Sequence, residues 1–264
     1  MKKTILDTII EHKHMEVLKR KGRKPLDQLR KKPLYSREPL DPLRIFRADQ
    51  PNIIAEFKRR SPSRGMMSDI KDPVPVVESY QQGGAAAVSV LTDRDFFGGS
   101  FRDLEAVKSQ VAGMPLLRKD FMIDPYQVHE AKAYGADIIL LIAAVLNRET
   151  VRELAEVARS LGLSVLLEIH REEEIEKWTP AITMIGVNNR DLHDFSVNID
   201  RSERLFHLLP SETIRISESG LQSVGDVRRL YETGYRGFLV GEKFMTAPSP
   251  GEALSRFIAN INAP

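Results

Sequence analysis

Cysteine is absent from all 264 residues. Its absence removes disulfides, thiolate nucleophiles and cysteine-ligated zinc together, and it agrees with a reducing compartment, so a cytoplasmic setting is expected. Long apolar runs are missing too. Nothing approaches the ~20 residues that a membrane-spanning helix needs, and no membrane association is expected. The opening MKKTILDTIIEHKH begins like a secretory leader, but Asp7 and Glu11 interrupt its short apolar patch and no small-residue cleavage site follows. An amphipathic helix over about residues 4–21 is the expectation. There is neither a phosphate-cradling Walker loop nor a Gly-x-Gly-x-x-Gly dinucleotide fingerprint. The six histidines lack ligand spacing. His12 and His14 are two apart and diverge on a helix, while His129, His170, His193 and His207 fall mostly in predicted helices or just after strands. No metal and no cofactor are expected.

What is present is ordinary in amount and uneven in placement. Hydrophobic residues at 42% and charged residues at 29% suffice for a full core, and the length suits one large α/β barrel or two small domains. The net charge of +2 hides an asymmetry: residues 1–47 hold 14 basic against 6 acidic side chains, an excess of +8, which leaves −6 for the rest. The basic run KRKGRK (19–24) lacks the interleaved aromatics of a nucleic-acid surface and reads as a solvated helix face. No nucleic-acid partner is expected.

From residue 52 onward short apolar runs recur with a steady beat: NIIAEF (52–57), AAAVSVLT (85–92), MPLLRK (114–119), DIILLI (137–142), SVLLEI (164–169), TMIGVN (183–188), TIRIS (213–217) and GFLVG (237–241). Nearly continuous apolarity marks parallel strands covered on both faces. Helical spacing fills the gaps, as in Val151, Leu154, Ala155, Ala158 and Leu161, or Val224, Val227 and Leu230. Ser100, Asp124-Pro125 and Ser223 stand where N-caps belong, and Gly83, Gly135, Gly162 and Gly234 where helices should stop. Eight strands alternating with eight helices predict a (β/α)8 TIM barrel over 48–264, preceded by an amino-terminal helical extension over 1–47, the whole forming a single domain. An open doubly wound sheet would use the same units.

Polar residues interrupt these strands at one end. Ile54, Glu56 and Lys58 share a face by the period of two, which aims a glutamate and a lysine into the barrel. Lys119 is in phase with Leu117, Glu168 with Leu166, the sixth strand ends at Asn188, and the seventh at Ser217-Glu218-Ser219-Gly220. A lone inward pair could be a structural ion pair. Interruptions at the same position of five strands point instead to an active site at the carboxyl-terminal face, because buried charge is costly unless paired or functional. Turns at Ser219-Gly220 and Gly241-Glu242, after strands seven and eight, match the place where barrels bind phosphate. SPSRG (61–65) is a further loop with hydroxyls and a cation, and Phe96-Phe97-Gly-Gly reads as a mobile aromatic loop or a buried plug. The acidic run Glu172–Glu174 reads as the start of a solvated helix. On the residues alone, an isomerase or aldolase on the same scaffold and a non-catalytic phosphate-binding barrel stay open.

IAEFKRRSPSRG (54–65), SVLTDRDFFGGS (89–100) and LLRKDFMIDPYQVHEAKAYGADIILLI (116–142) resemble signature segments of the indole-3-glycerol phosphate synthase family, and LLEIH (166–170), IGVNNRDL (185–192), ISESG (216–220) and FLVGEKFM (238–245) continue the likeness in order. The resemblance covers essentially the whole chain. It implies a cofactor-free lyase that closes, decarboxylates and dehydrates 1-(2-carboxyphenylamino)-1-deoxyribulose 5-phosphate; a monomer or weak oligomer is expected. Residue by residue, it implies Lys119 as general acid and Glu168 as its partner acid/base. Lys58 would contact the substrate, including its phosphate, and assist dehydration, with Glu56 orienting it. Asn188 and Glu218 would place the substrate, Ser61 and Ser219 give hydroxyl contacts, and Phe97, Arg190 and Leu192 line the aromatic pocket. Gly220, Gly241 and Glu242 occupy the phosphate-loop positions. Glu242 departs from relatives that carry serine there, which removes a hydroxyl contact, and Lys243-Phe244 is bulkier than the pattern leads one to expect.

Overall fold

Alternation along the strands decides what fills the centre of this molecule. In the computed structural model, which describes residues 4–192 and 194–263, eight parallel strands close into a barrel in sequence order. They are β1 (Asn52–Phe57), β2 (Ala87–Leu91), β3 (Leu116–Lys119), β4 (Ile138–Ile142), β5 (Ser164–Ile169), β6 (Met184–Asn188), β7 (Ile214–Glu218) and β8 (Gly237–Val240), with β8 pairing back onto β1. Odd and even positions face opposite ways. Ala55 and Phe57 join the outer core under the helices, whereas Ile54, Leu117, Leu140, Leu166, Met184, Ile216 and Leu239 pack inside the barrel. A small hairpin, Arg60–Ser61 against Gly65–Met66, stands outside the barrel in the loop after β1.

The outer ring is built as the sequence leads one to expect, with one exception. In order come α1 (Ile5–Arg23) and α2 (Leu26–Arg30), before the barrel, then α3 (Val74–Gln82), α4 (Phe101–Gln110), α5 (Pro125–Ala133), α6 (Arg148–Ser160), α7 (Asp200–Phe206), α8 (Val224–Thr233), α9 (Glu242–Met245) and α10 (Pro250–Asn262). Ser100, Asp124 and Ser223 accept hydrogen bonds from Arg102, Tyr126 and Asp226 backbone N–H groups, so the three expected N-caps all act as such. Gly135, Gly162 and Gly234 take the left-handed conformation after their helices; at the end of α3 it is Gly84, not Gly83, that does so. The exception lies between β5 and β6. There the acidic run forms a 3-10 segment, Glu172–Lys177, rather than an α-helix. Ile175 and Trp178 are its only apolar residues before Pro180, too few for a stripe that could bury a helix. Glu174 turns back to accept the His170 N–H at 2.6 Å, which closes the segment early.

The amino-terminal extension accounts for the uneven charge. Its cations meet carboxylates of the barrel shell: Lys13 with Asp93 and Asp120, Arg20 with Glu130, Lys21 with Asp124, Lys32 with Glu105 and Arg37 with Asp137. The run 19–24, expected as a solvated face, is therefore partly docked; Lys24 also donates to the Tyr134 hydroxyl at 3.0 Å.

Candidate active site

Four strands raise a charged residue two positions beyond an apolar residue of the barrel interior. Glu56 follows Ile54 on β1, Lys119 follows Leu117 on β3, Glu168 follows Leu166 on β5 and Glu218 follows Ile216 on β7. These are alternate strands, whose side chains form a layer across a TIM barrel. The uppermost layer of the barrel core is thus made of charge, directly above a layer of aliphatic side chains. Two glycines on the intervening strands make room for it. A Cβ on Gly186 of β6 would come 2.2 Å from Glu218 Oε1, and one on Gly241, just after β8, 2.5 Å from Glu56 Oε1. Exchanging Gly186 for alanine is therefore expected to evict the Glu218 carboxylate from beside Lys119. The loss should fall on kcat, by about tenfold or more, as expected for a displaced catalytic neighbourhood. Steady-state kinetics check it.

At the centre Lys119 Nζ donates to Glu168 Oε2 at 3.0 Å and to Glu218 Oε2 at 2.7 Å. Beside them Lys58 Nζ is paired with Glu56. Burial by itself would depress the Lys119 ammonium, but Glu168, Glu218 and Glu56 outweigh it and hold the group above the ordinary lysine range. Burial likewise works to raise Glu168, yet Lys119 and then His170 pull it below the usual carboxylate range. Glu218 goes the other way. Burial, reinforced by the charges of Glu168 and Glu56, overcomes Lys119 and pushes it up to about 7. The cluster near neutral pH therefore holds an ammonium, one firm carboxylate and one carboxyl group that exchanges a proton easily.

The Glu218 shift has a signature in stability. Its carboxyl titrates near 4.5 in an unfolded chain and near 7 in the folded one, so the folded state retains a proton that the unfolded state has lost. Its favourable contribution is whole below 4.5 and is lost as pH rises through 7, on the order of 3 kcal/mol at most. His170 opposes this. Burial lowers its pKa despite the pull of Glu168 and Glu174, so stability from this group falls as pH drops below its unfolded value of 6.5. Glu218→Gln should remove the first slope and expose the second. Urea titrations at about pH 5 and about pH 8 should show the variant gaining on the native protein at the higher pH. A shift of equal size at both pH values would contradict the assignment.

Above the cluster opens a cavity with about 1260 Å³ of empty space, part of it open to solvent. Glu56, Lys58, Ser61, Phe97, Lys119, Glu168, Asn188, Arg190, Leu192, Ser219, Gly220, Gly241 and Glu242 all border it. Every residue to which the family resemblance gives a site role is thereby brought together except Glu218, which is 1% exposed, bonded to Lys119, and not on the cavity wall. Ser219 and Gly220 adopt left-handed φ of 68° and 77°, a tight turn that borders the same cavity as Gly241 and Glu242. Glu242 is not a bare charge beside it. Arg64 reaches Glu242 at 2.6 Å and Arg190 at 3.6 Å, tying the loops after β1, β6 and β8 together. Phe97 packs against Phe121 with ring centroids 6.0 Å apart, and the Phe96 and Phe97 N–H groups donate to Asp93 Oδ1. The aromatic loop is anchored at the cavity edge rather than plugged into the core.

Other participants were not marked in the sequence. Ile5, Leu6 and Ile9 of α1 form one apolar wall of the cavity, and Phe121 and Phe195 add to it. His170, set aside for want of ligand spacing, is buried with Nε2 3.5 Å from Glu168 Oε1. Its position two residues beyond Glu168 on the same face was the available signal. His193 lies outside the described residues. Among the described residues no cluster of histidine, aspartate and glutamate is arranged to hold a metal ion, and no helix is long and apolar enough to cross a membrane.

Among solved structures, the fold matches a protein titled KGPDC from Streptococcus mutans, at a TM-score of 0.62 and 13% identity over 81% of this chain and 98% of that one. It also matches 3-hexulose-6-phosphate synthase from Salmonella typhimurium, at a TM-score of 0.59 and 12% identity over 80% and 100%. At such identities the likeness is one of fold alone. Sequence relatives are far nearer. The indole-3-glycerol phosphate synthase of Bacteroides thetaiotaomicron is 45% identical over 98% of this chain and 99% of its own length, and that of Salinibacter ruber 43% identical over 97% and 96%. The family model described as indole-3-glycerol phosphate synthase matches residues 6–257, and the chain belongs to the indole-3-glycerol phosphate synthase family.

Proposed function

We propose that this cavity converts 1-(2-carboxyphenylamino)-1-deoxyribulose 5-phosphate to indole-3-glycerol phosphate, carbon dioxide and water, with Lys119 as general acid and Glu168 as its partner acid/base. The observation that carries this reading is the Glu168–Lys119–Glu218 cluster, with distances of 3.0 and 2.7 Å, at the floor of a cavity with an apolar wall. Ring closure brings the carboxylate-bearing aromatic carbon onto the ketone carbon. Negative charge grows on the ketone oxygen, and an ammonium beside it both stabilises that charge and delivers a proton. The carbon–carboxylate bond then breaks, and its electrons restore the aromatic ring as carbon dioxide leaves. Departure of the new hydroxyl as water needs an acid at the oxygen and a base for the proton next to it. Lys58, oriented by Glu56, supplies the acid in this step.

The phosphate is placed against Ser219, Gly220, Gly241 and the start of α9, and Lys58 and Ser61 approach from the loop after β1. Glu242 is compatible with an anion there because Arg64 and Arg190 already balance its charge. Phe97, Phe121, Leu192 and the α1 residues Ile5, Leu6 and Ile9 sandwich the ring, and Arg190 offers a cation to its carboxylate. The test is the gain of indole fluorescence when protein and this substrate are mixed. A rise with the native chain supports the reading. Tight binding of the substrate without any rise would overturn it.

A further inference from the structure

The charged side chains assigned to the chemical steps lie inside the barrel. A second buried cluster is centred on Lys13 and borders the same cavity through Asp93 and Asp120. Lys13 of α1 is fully buried, and its Nζ stands 2.8 Å from Asp93 Oδ2, 2.9 Å from Asp120 Oδ1 and 2.7 Å from Glu16 Oε2. Asp120 immediately follows Lys119 and points to the opposite face; it is also bound by Arg118 at 2.8 Å and by the Thr92 hydroxyl at 2.7 Å. Asp93 uses its other oxygen to hold the Phe96 and Phe97 N–H groups. His12, the neighbour of Lys13, packs edge-on against Phe96 and reaches Asp95 at 3.1 Å. One turn before Lys13, Ile9 lines the substrate cavity with Ile5 and Leu6.

We infer that Lys13 is a positioning residue for the reaction: it locks the amino-terminal helix to the ends of β2 and β3, and so fixes the backbone from which Lys119 projects and the loop that carries Phe97. This rests on the acid role proposed for Lys119. A lysine is an expensive residue to bury, and a methionine would fill the same space in a helix that only needed docking. Burial opposes its charge, yet Asp120, Asp93 and Glu16 hold the ammonium above its ordinary range, so it is charged at neutral pH. One cation satisfying carboxylates on two different loops gives a rigid link between the helix and the catalytic end of β3, where a misplacement of about 1 Å costs about a hundredfold in rate.

The experiment compares native protein with Lys13→Met, Lys13→Arg and Lys119→Ala, measuring kcat and KM by indole fluorescence and the thermal midpoint alongside. Lys13→Met is expected to lower kcat by about tenfold to a hundredfold with a smaller change in KM, because the acid is misplaced in the chemical step. Lys13→Arg, which keeps the charge and reaches both aspartates, should restore most of that loss. Because Lys13→Met leaves two carboxylates buried without their cation, a second variant guards against failure to fold. Lys13→Met with Asp93→Asn removes one charge of each sign, keeps the oxygen that accepts the Phe96 and Phe97 N–H groups, and should show the same loss. A folded variant whose midpoint falls while kcat and KM stay within about twofold of native would overturn the inference, since a merely structural anchor predicts that result. Native-like turnover by Lys119→Ala would instead sink the reading of the acid itself, independently of Lys13.

Discussion

Lys119→Ala is expected to lower kcat by about three orders of magnitude, the combined scale of losing a positioned general acid and a buried electrostatic stabiliser. The ammonium lies between two carboxylates that hold its proton tightly, which at first sight makes a poor acid. Two features offset this. The alkoxide formed at ring closure is far more basic than a carboxylate, so the proton moves downhill when it moves at all. Glu218, pushed up to about 7, is protonated in a good fraction of molecules near neutral pH, and each such proton removes one of the charges that strengthen the hold on Lys119. Binding of the benzoate and phosphate should change less, because neither depends on Lys119 in the proposed pose. The expected pattern is therefore a fall in kcat and kcat/KM together with little change in KM. Folding should survive. Without the ammonium, Glu168 and Glu218 can share a proton rather than remain a bare pair, as closely spaced buried carboxylates do. Retention of more than about a tenth of native kcat by a folded variant would remove Lys119 from the acid's role.

The barrel was legible because its strands are buried on both faces and its turns are chemically marked. All eight apolar runs became strands, and the N-caps at Ser100, Asp124 and Ser223 are where their side chains led one to look. The interior charges were legible for a related reason. A period of two converts position in a strand directly into direction, so Glu56, Lys119 and Glu168 could be aimed into the barrel from sequence alone. What that period cannot give is height. Glu218 shares the face of the others, yet its carboxylate is bonded to Lys119 and off the cavity wall, a matter of stagger between strands and of the missing side chain at Gly186.

Helices hide more. The pattern of α1 shows Ile9 and Val17 on one stripe with Lys13 between them, and a basic residue on an apolar stripe is commonly a solvated neighbour whose stem alone is covered. Only the fold reveals that Asp93 and Asp120, 80 and 107 residues further on, converge on it. The 3-10 segment after β5 shows the opposite limit. Its acidic composition suits a helix start, but composition does not create the apolar stripe that holds a helix against a sheet.

Glu168→Gln isolates the other half of the pair. Glutamine has the same shape and can still accept a hydrogen bond from Lys119, but it cannot take up a proton. Glu168 is held ionised chiefly by the Lys119 ammonium, so the native group is ready to act as a base at neutral pH. Its loss is expected to lower kcat by about a hundredfold or more, the range for a removed acid/base. A second effect follows from the coupling. Glu168 is one of the charges that push Glu218 up, so removing it should draw the Glu218 carboxyl down from about 7 and shift any kinetic pKa in that region toward acid. The sharper measurement is the Lys119→Ala, Glu168→Gln double variant. If the two groups pass one proton between them across the 3.0 Å contact, removing either disables the same step, and the double should be barely slower than the worse single variant. Independent contributions would instead multiply. A double variant slower by the full product of the two single losses would mean that Lys119 and Glu168 serve separate steps, and that their 3.0 Å contact holds the lysine in place without carrying its proton.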